Sequence, residues 1–330
     1  MTQILIVGAG PAGLLANHVL SSVPGVRVSV LDPGRPGGAF TADGGLKYIH
    51  KTPNMLKLFG SLGLGADEYH VQGGILLRGK VHPFPAVLKE LGKEQADRIR
   101  ADHYFKTRRA EPDGGQAAKA MNDPEASGPR HGLRCDLGAF VNALARRAVL
   151  VADSMAGLAP GQVVGASERR FPFDYLVLTV PLWIVRRMAW FALPEALALK
   201  LNVVRVNPIG DPYAKWDYVY TPYTPENLLH RLSPSDDGYQ CEFNGEWIEG
   251  ETNTKLTSDL NFLFPNGWAL DAVKKGLNGH LLPLRGPAEW PANVRPLGRF
   301  AQWDSRATVD AVLDSSIRLA KDWFGHEWTA

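Results

Sequence analysis

The sequence predicts an α/β fold, with a β-α-β unit at its start and a smaller antiparallel sheet built from later strands. Three observations predict it. The apolar run Ile4-Leu5-Ile6-Val7 breaks at Gly8 and resumes as Pro11-Ala12-Gly13-Leu14-Leu15-Ala16, the pattern of a strand, a tight turn and a helix. After the turn signal Pro24-Gly25, the alternating run Val26-Arg27-Val28-Ser29-Val30-Leu31 reads as a second strand. Much later, 216–223, 228–233 and 238–243 alternate aromatic and polar residues, as antiparallel strands with one wet face do.

The first unit has the chemistry of a dinucleotide site. Gly8 permits the turn, Gly10 lets backbone approach a pyrophosphate, and Gly13 lets the helix pack closely on the strand. Pro11 and Ala12 open a helix whose free N–H groups and positive dipole end suit a diphosphate. Asp32 lies nineteen residues past Gly13, where a carboxylate accepts hydrogen bonds from ribose hydroxyls. The competing reading is a glycine-rich turn with no ligand.

The segment after Asp32 narrows the cofactor. Arg35-Pro36-Gly37-Gly38-Ala39-Phe40 resembles the second glycine pair of FAD enzymes in the amine oxidase and UDP-galactopyranose mutase superfamily. The resemblance implies that Gly37 and Gly38 pass beside the flavin diphosphate. The superfamily often has arginine after the pair, where this chain has Ala39, so Arg35 is the candidate for that contact.

Three further stretches carry the resemblance. Residues 46–54, with the helix-like 55–64, look like the segment that runs under the flavin ring in the mutases. Residues 173–182 are similar to the returning strand of amine oxidases, and 295–304, leading into a helix over 308–324, resemble the last FAD motif. By this analogy Gly298 and Arg299 approach the diphosphate, and Thr308 and Val309 face the flavin pyrimidine edge. A helix N-terminus there would stabilise reduced flavin. The plainer reading makes Thr308 one more residue of an amphipathic helix.

The implied organisation is discontinuous: a Rossmann-like FAD-binding domain from 1–65, 133–185 and 293–330, and a smaller antiparallel-sheet substrate domain from 66–110 and 186–292. Within the latter, 72–83 reads as a hairpin turning at Arg78-Gly79. Residues 111–132, rich in Gly, Pro, Asp, Ser and Ala, read as a flexible surface loop, or as a lid.

Composition excludes several classes. With 330 residues and 45% hydrophobic content, the chain can bury a large core. Its two cysteines, Cys135 and Cys241, lie far apart, so neither a disulfide framework nor a dithiol reductase is indicated. The broken apolar run at the start argues against a signal peptide, and no run of about 18 apolar residues could span a bilayer, so a cytoplasmic protein without a membrane partner is expected. A formal charge of +2 implies no nucleic-acid partner by itself; the clusters at Arg98, Arg100, Lys106, Arg108 and Arg109, and at Arg186 and Arg187, leave a polyanion open. The nine histidines include no H-x-x-x-H, so no metal site is expected. Without a second G-x-G-x-x-G, a separate nicotinamide domain is not expected either.

Catalysis would then rest on FAD, with the protein supplying position and charge. His50 is the first candidate beside the ring, because its Ile49-His50-Lys51-Thr52 context resembles the mutases' flavin-proximal histidine segment. Tyr220, His230 and Arg231 are polar groups on strands of the roof, able to orient an anionic or hydroxylated substrate. Each could equally be an ordinary structural residue. The leading expectation is oxidation of a C–N bond in an amine or amino-acid-like substrate. The alternatives are a redox-neutral mutase acting on a UDP-sugar, a phage-type flavin-dependent lyase or oxidase acting on amino-acid-modified DNA bases, and a non-catalytic flavin-binding protein.

Overall fold

The computed structural model describes residues 1–38, 49–77, 79–83, 130–195, 198–221, 228–235, 238–281, 289–302 and 308–329. Ala39, residues 46–48, Arg78, the cluster Arg98 to Arg109, residues 111–129 of the expected loop, and 303–304 lie outside them.

A parallel five-stranded sheet organises the first layer. Its strands are β1 (Thr2–Val7), β2 (Val26–Leu31), β8 (Leu150–Val151), β12 (Tyr175–Leu178) and β18 (Val294–Pro296), in the order β18-β12-β1-β2-β8. Period-two alternation decides which face each residue serves. Ile4, Ile6, Val28, Val30 and Val177 join one core with helices α1 (Pro11–Leu20), α2 (Pro53–Leu62), α3 (Leu137–Ala145) and α7 (Val309–Phe324). Leu5, Val7, Leu31, Leu176 and Leu178 face the other way, against α4 (Leu182–Arg186) and a meander of β9 (Met155–Ala159), β10 (Gln162–Gly165) and β11 (Arg170–Pro172). Both faces are apolar because both are covered, as a parallel sheet requires.

Local chemistry sets the helix ends. Thr52 caps α2 by accepting from Met55 N–H at 3.2 Å, and Gly63 ends it at φ +67°. Asp136 caps α3 by accepting from Ala139 N–H at 2.9 Å. Phe59 of α2 stacks on Phe140 of α3 at 5.1 Å.

The second layer is a seven-stranded sheet. It runs β17-β13-β16-β15-β14-β5-β6, from β5 (Gly73–Leu77), β6 (Lys80–Pro83), β13 (Ala198–Pro208), β14 (Tyr218–Tyr220), β15 (Arg231–Ser235), β16 (Gly238–Asn244) and β17 (Trp268–Leu281). Gly79, at φ +76°, turns the β5–β6 hairpin. Helix α5 (Glu251–Leu263) covers one face, where Val204, Leu232, Cys241 and Phe243 meet Leu256 and Leu260. The opposite face is polar, yet Ser233, Gln240 and Glu242 on it are buried, not wet as alternation alone suggested. Burial of Glu242 is tolerated there because Arg231 and Gln240 both donate to it.

A three-stranded sheet bridges the layers: β3 (Ile49–His50), β7 (Arg130–Arg134) and β4 (Asp67–Val71), in the order β3-β7-β4. Strand β7 claims residues 130–132 from the stretch expected to be loop. Pairing with β4 along its full length satisfies its backbone, which outweighs a sequence too short and glycine-broken to signal a strand.

Candidate active site

Three glycine-bearing segments meet at the N-terminus of α1. Gly8 adopts φ +105°, and its N–H donates to Leu31 O at 2.8 Å. A Cβ on Gly13 would lie 1.8 Å from Gly8 O, so the helix packs directly on the turn. A Cβ on Gly10, by contrast, would meet nothing within 4 Å. Gly37 N–H donates to Ala9 O at 2.8 Å, and a Cβ on Gly38 would lie 3.1 Å from Gly10 Cα. Gly298, at φ +90°, sits so close to α1 that a Cβ there would come within 2.8 Å of Ala12 Cβ.

Each glycine therefore has its own reason. Gly8, Gly13, Gly38 and Gly298 are required by the protein's own close approaches, whereas Gly10 faces open space. Helix α1 starts with Gly10 as its cap, without a side-chain hydrogen bond, and has no acidic residue in its first turn. A positive helix end with no acidic residue in its first turn and no side-chain cap, beside a bare glycine, is a cradle that fits a diphosphate.

Asp32 ties the cradle together. Its Oδ2 accepts from Ala9 N–H at 2.6 Å and its Oδ1 from Gly34 N–H at 2.8 Å. Each carboxylate oxygen keeps a lone pair for a ribose hydroxyl. Arg35 is exposed beside it, and Arg299 is half-buried at the start of α6 (Arg299–Gln302), next to Gly298.

A second cluster forms at the N-terminus of α7. His50 Nδ1 lies 3.3 Å from Asp310 Oδ1, with the His50 side chain 36% and the Asp310 side chain 16% exposed. Burial alone would raise the Asp310 carboxyl. Hydrogen bonds from His50 and Thr308 outweigh it and hold the group below the ordinary carboxylate value. Thr308 caps α7 in extended geometry, but its hydroxyl serves Asp310 and not the helix N–H groups. The fold thus brings His50 to Thr308 and Val309, three candidates chosen from distant segments.

The third cluster spans the seven-stranded sheet. Register places Tyr220 opposite Arg231, and Arg231 opposite Glu242. Arg231 Nη2 donates to both Glu242 oxygens, at 2.7 and 2.6 Å, and Gln240 Nε2 donates to Oε1 at 3.1 Å. His230 Nε2 lies 3.9 Å from Glu242 Oε2, both side chains being 3% exposed. Burial alone would lower the Arg231 guanidinium, but Glu242, together with the hydrogen-bonded Tyr220, raises it further above its ordinary range. Arg231 was a candidate to orient an anionic or hydroxylated substrate; within the protein its charge is matched by Glu242.

The bridging sheet connects these clusters. Gly132 pairs with His50 on one side and with Tyr69 on the other, so the three form one row. Neighbouring strands lie ~4.8 Å apart, which leaves His50 and Tyr69 roughly 10 Å apart with no β7 side chain between them. Tyr69 packs with Val71, Tyr218 and Tyr220, and the Arg134 guanidinium stands 4.5 Å over its ring.

Sequence reasoning missed four participants. Thr179 Oγ1 lies 2.9 Å from Val7 O and 3.0 Å from Gly8 O, bracing the glycine turn. A hydroxyl closing a buried strand was its signal. Asp310, an acid in a first helical turn, and Glu242, an acid at a polar position of an alternating strand, each follow an ordinary rule and so did not stand out. Gly132 had no signal, since its role depends on register.

No protein-family model matches the chain, and no curated protein matches it. Solved structures do. A reduced UDP-galactopyranose mutase aligns at TM-score 0.72 and 13% identity over 98% of this chain and 96% of its own. A Pyrococcus furiosus protein aligns at 0.69 and 16%, covering 97% of each chain. A putrescine oxidase variant aligns at 0.64 and 14%, over 98% of this chain and 100% of its own. The chain therefore shares its fold with these solved structures, among them a UDP-galactopyranose mutase and a putrescine oxidase.

Proposed function

We propose that the chain is an FAD-dependent oxidoreductase that oxidises a C–N bond of an amine or amino-acid-like substrate. The observation that carries the FAD reading is the convergence of Gly8 to Gly13, Gly37-Gly38 and Gly298 on one helix end without a side-chain cap, where Gly10 has room for a ligand among the described residues. Gly10, Pro11, Ala12, Gly37, Gly38, Gly298 and Arg299 would hold the diphosphate, Asp32 the ribose, and Thr308 and Val309 the ring's polar edge. When bound, FAD supplies a two-electron acceptor.

The protein's own part is proton handling. His50, whose Nδ1 lies 3.3 Å from the Asp310 carboxylate, is the group in this cluster suited to act as a base. It can take a proton from a substrate ammonium, giving the neutral amine whose lone pair assists loss of hydride from the adjacent carbon. Asp310 stabilises the imidazolium so formed.

The choice of an amine over a sugar diphosphate rests on Arg231. Among the roof candidates Arg231 is the cation, and its charge is already matched by Glu242, which favours a substrate that does not bring a diphosphate to it. The division into cofactor and substrate layers is part of the same proposal.

The visible spectrum of the purified protein tests the cofactor. Anaerobic addition of an amine should bleach the flavin band and yield the carbonyl product and ammonia by hydrolysis of the imine, and air should then restore the band with formation of hydrogen peroxide. A protein without flavin that also fails to take up added FAD overturns the reading. Bound flavin that no amine bleaches overturns the C–N assignment alone.

A further inference from the structure

We propose that His70 and His131 form a two-histidine site for a borderline transition-metal ion such as Ni(II), Cu(II) or Zn(II), on the side of the bridging sheet opposite His50. Sequence spacing gives no hint of it, since the residues lie 61 positions apart. Register supplies it: His70 and His131 are directly opposed in the β4–β7 pair.

The geometry suits chelation. Their ring centroids lie 4.6 Å apart with planes inclined at 58°. A metal held about 2.0–2.1 Å from one nitrogen of each ring, with the two bonds near a right angle, sets the centroids roughly 4.5 Å apart. Both residues are exposed, so the ion can enter and water can fill its remaining positions. Among the described residues, neither imidazole has a hydrogen bond or carboxylate partner, and each is open to coordinate. Imidazole pairs select late first-row ions over Mg(II) or Ca(II), which prefer oxygen.

The neighbouring charges do not compete. Glu68, two residues before His70 and on the same face, is held by Lys51 Nζ at 2.5 Å. Among the described residues no group of three or more His, Cys, Asp or Glu could hold a metal, so this pair is a light clip and not a closed structural centre. Its position gives it a consequence. Strand β7 also carries Gly132, which is paired on either side with His50 and Tyr69. An ion bridging β4 to β7 would stiffen, from behind, the sheet that presents His50.

Calorimetric titration of the full chain with Ni(II) tests the site, with Mg(II) as control. About one equivalent should bind, and His70→Gln or His131→Gln should each weaken binding at least tenfold. Glu68→Gln should leave it unchanged. Both histidines are exposed, so the variants should melt as the parent does without metal; a variant that does not is judged by the other. Ni(II) should raise the parent's melting temperature but not the variants'. Binding no tighter in the parent than in both variants overturns the site, whatever the protein's flavin content.

Discussion

His50 Nδ1 lies 3.3 Å from Asp310 Oδ1, joining β3 to the first turn of α7 across 260 positions of sequence. The pair sets a carboxylate beside one nitrogen of the imidazole. It also places a carboxylate where the α7 dipole is positive, which favours the charged form.

Asp310→Asn should lower turnover about ten- to a hundredfold. Loss should appear mainly in kcat, because the pair handles a proton and does not grip substrate. His50→Ala should cost at least as much, and the double variant no more than His50→Ala. Steady-state kinetics on the three variants check this, and additive losses would show that the two residues do not act together.

The same carboxyl predicts an acid limb in stability. Its folded value lies below the ordinary carboxylate value, so its contribution is complete above that ordinary range. It is lost as pH falls through the lowered folded value. Unfolding midpoints of the parent and Asp310→Asn should therefore converge as pH drops, and a constant gap would deny the linkage.

Two glycines separate binding from folding. Gly13→Ala forces a methyl group to within 1.8 Å of Gly8 O and should destabilise the fold by about 2–4 kcal/mol. Gly10→Ala meets nothing among the described residues and should melt like the flavin-free parent while retaining far less FAD. Thermal melts with cofactor content on each variant decide the matter. Normal FAD retention by Gly10→Ala would place the diphosphate elsewhere.

Glu242→Ala leaves the Arg231 guanidinium buried and unmatched, at a cost of about 3–5 kcal/mol. Replacing both, Arg231→Met with Glu242→Leu, should recover most of that loss. Chemical denaturation of the single and double variants measures the coupling, and equal losses in both would mean that the pair is not internally balanced.

Burial pushes the Cys241 thiol far up and the half-buried Cys135 thiol up to about 11. At neutral pH a disulfide exchange reagent should label neither quickly in the folded protein, and both within seconds after unfolding. Rapid labelling of either in the native state would contradict these surroundings.

Much of the fold was legible because it is written locally. Gly8 to Gly13, the alternation of 26–31 and the aromatic strands near 218, 231 and 239 each obey a short-range rule. The candidate site was half legible. His50, Thr308 and Val309 could be named singly, but their meeting depends on how α7 returns to β3. For Arg231 the sequence shows a charge and not its partner, and Glu242 became that partner only through the register of β15 and β16. Arg130, His131 and Gly132 read as loop because strand pairing, not propensity, made them a strand.

The placement of β12 and β18 beside β1 has a cost in time. Strand β1, at residues 2–7, is flanked by β2 from the same unit and by β12 from 175–178, and β12 is flanked in turn by β18 from 294–296. During synthesis an apolar strand must wait, one edge open, until most of the chain has left the ribosome. Such long-range closure is slow and exposes an aggregation-prone edge meanwhile. Yield in a cell should therefore follow translation speed and chaperone supply more closely than the thermodynamic stability of the finished molecule.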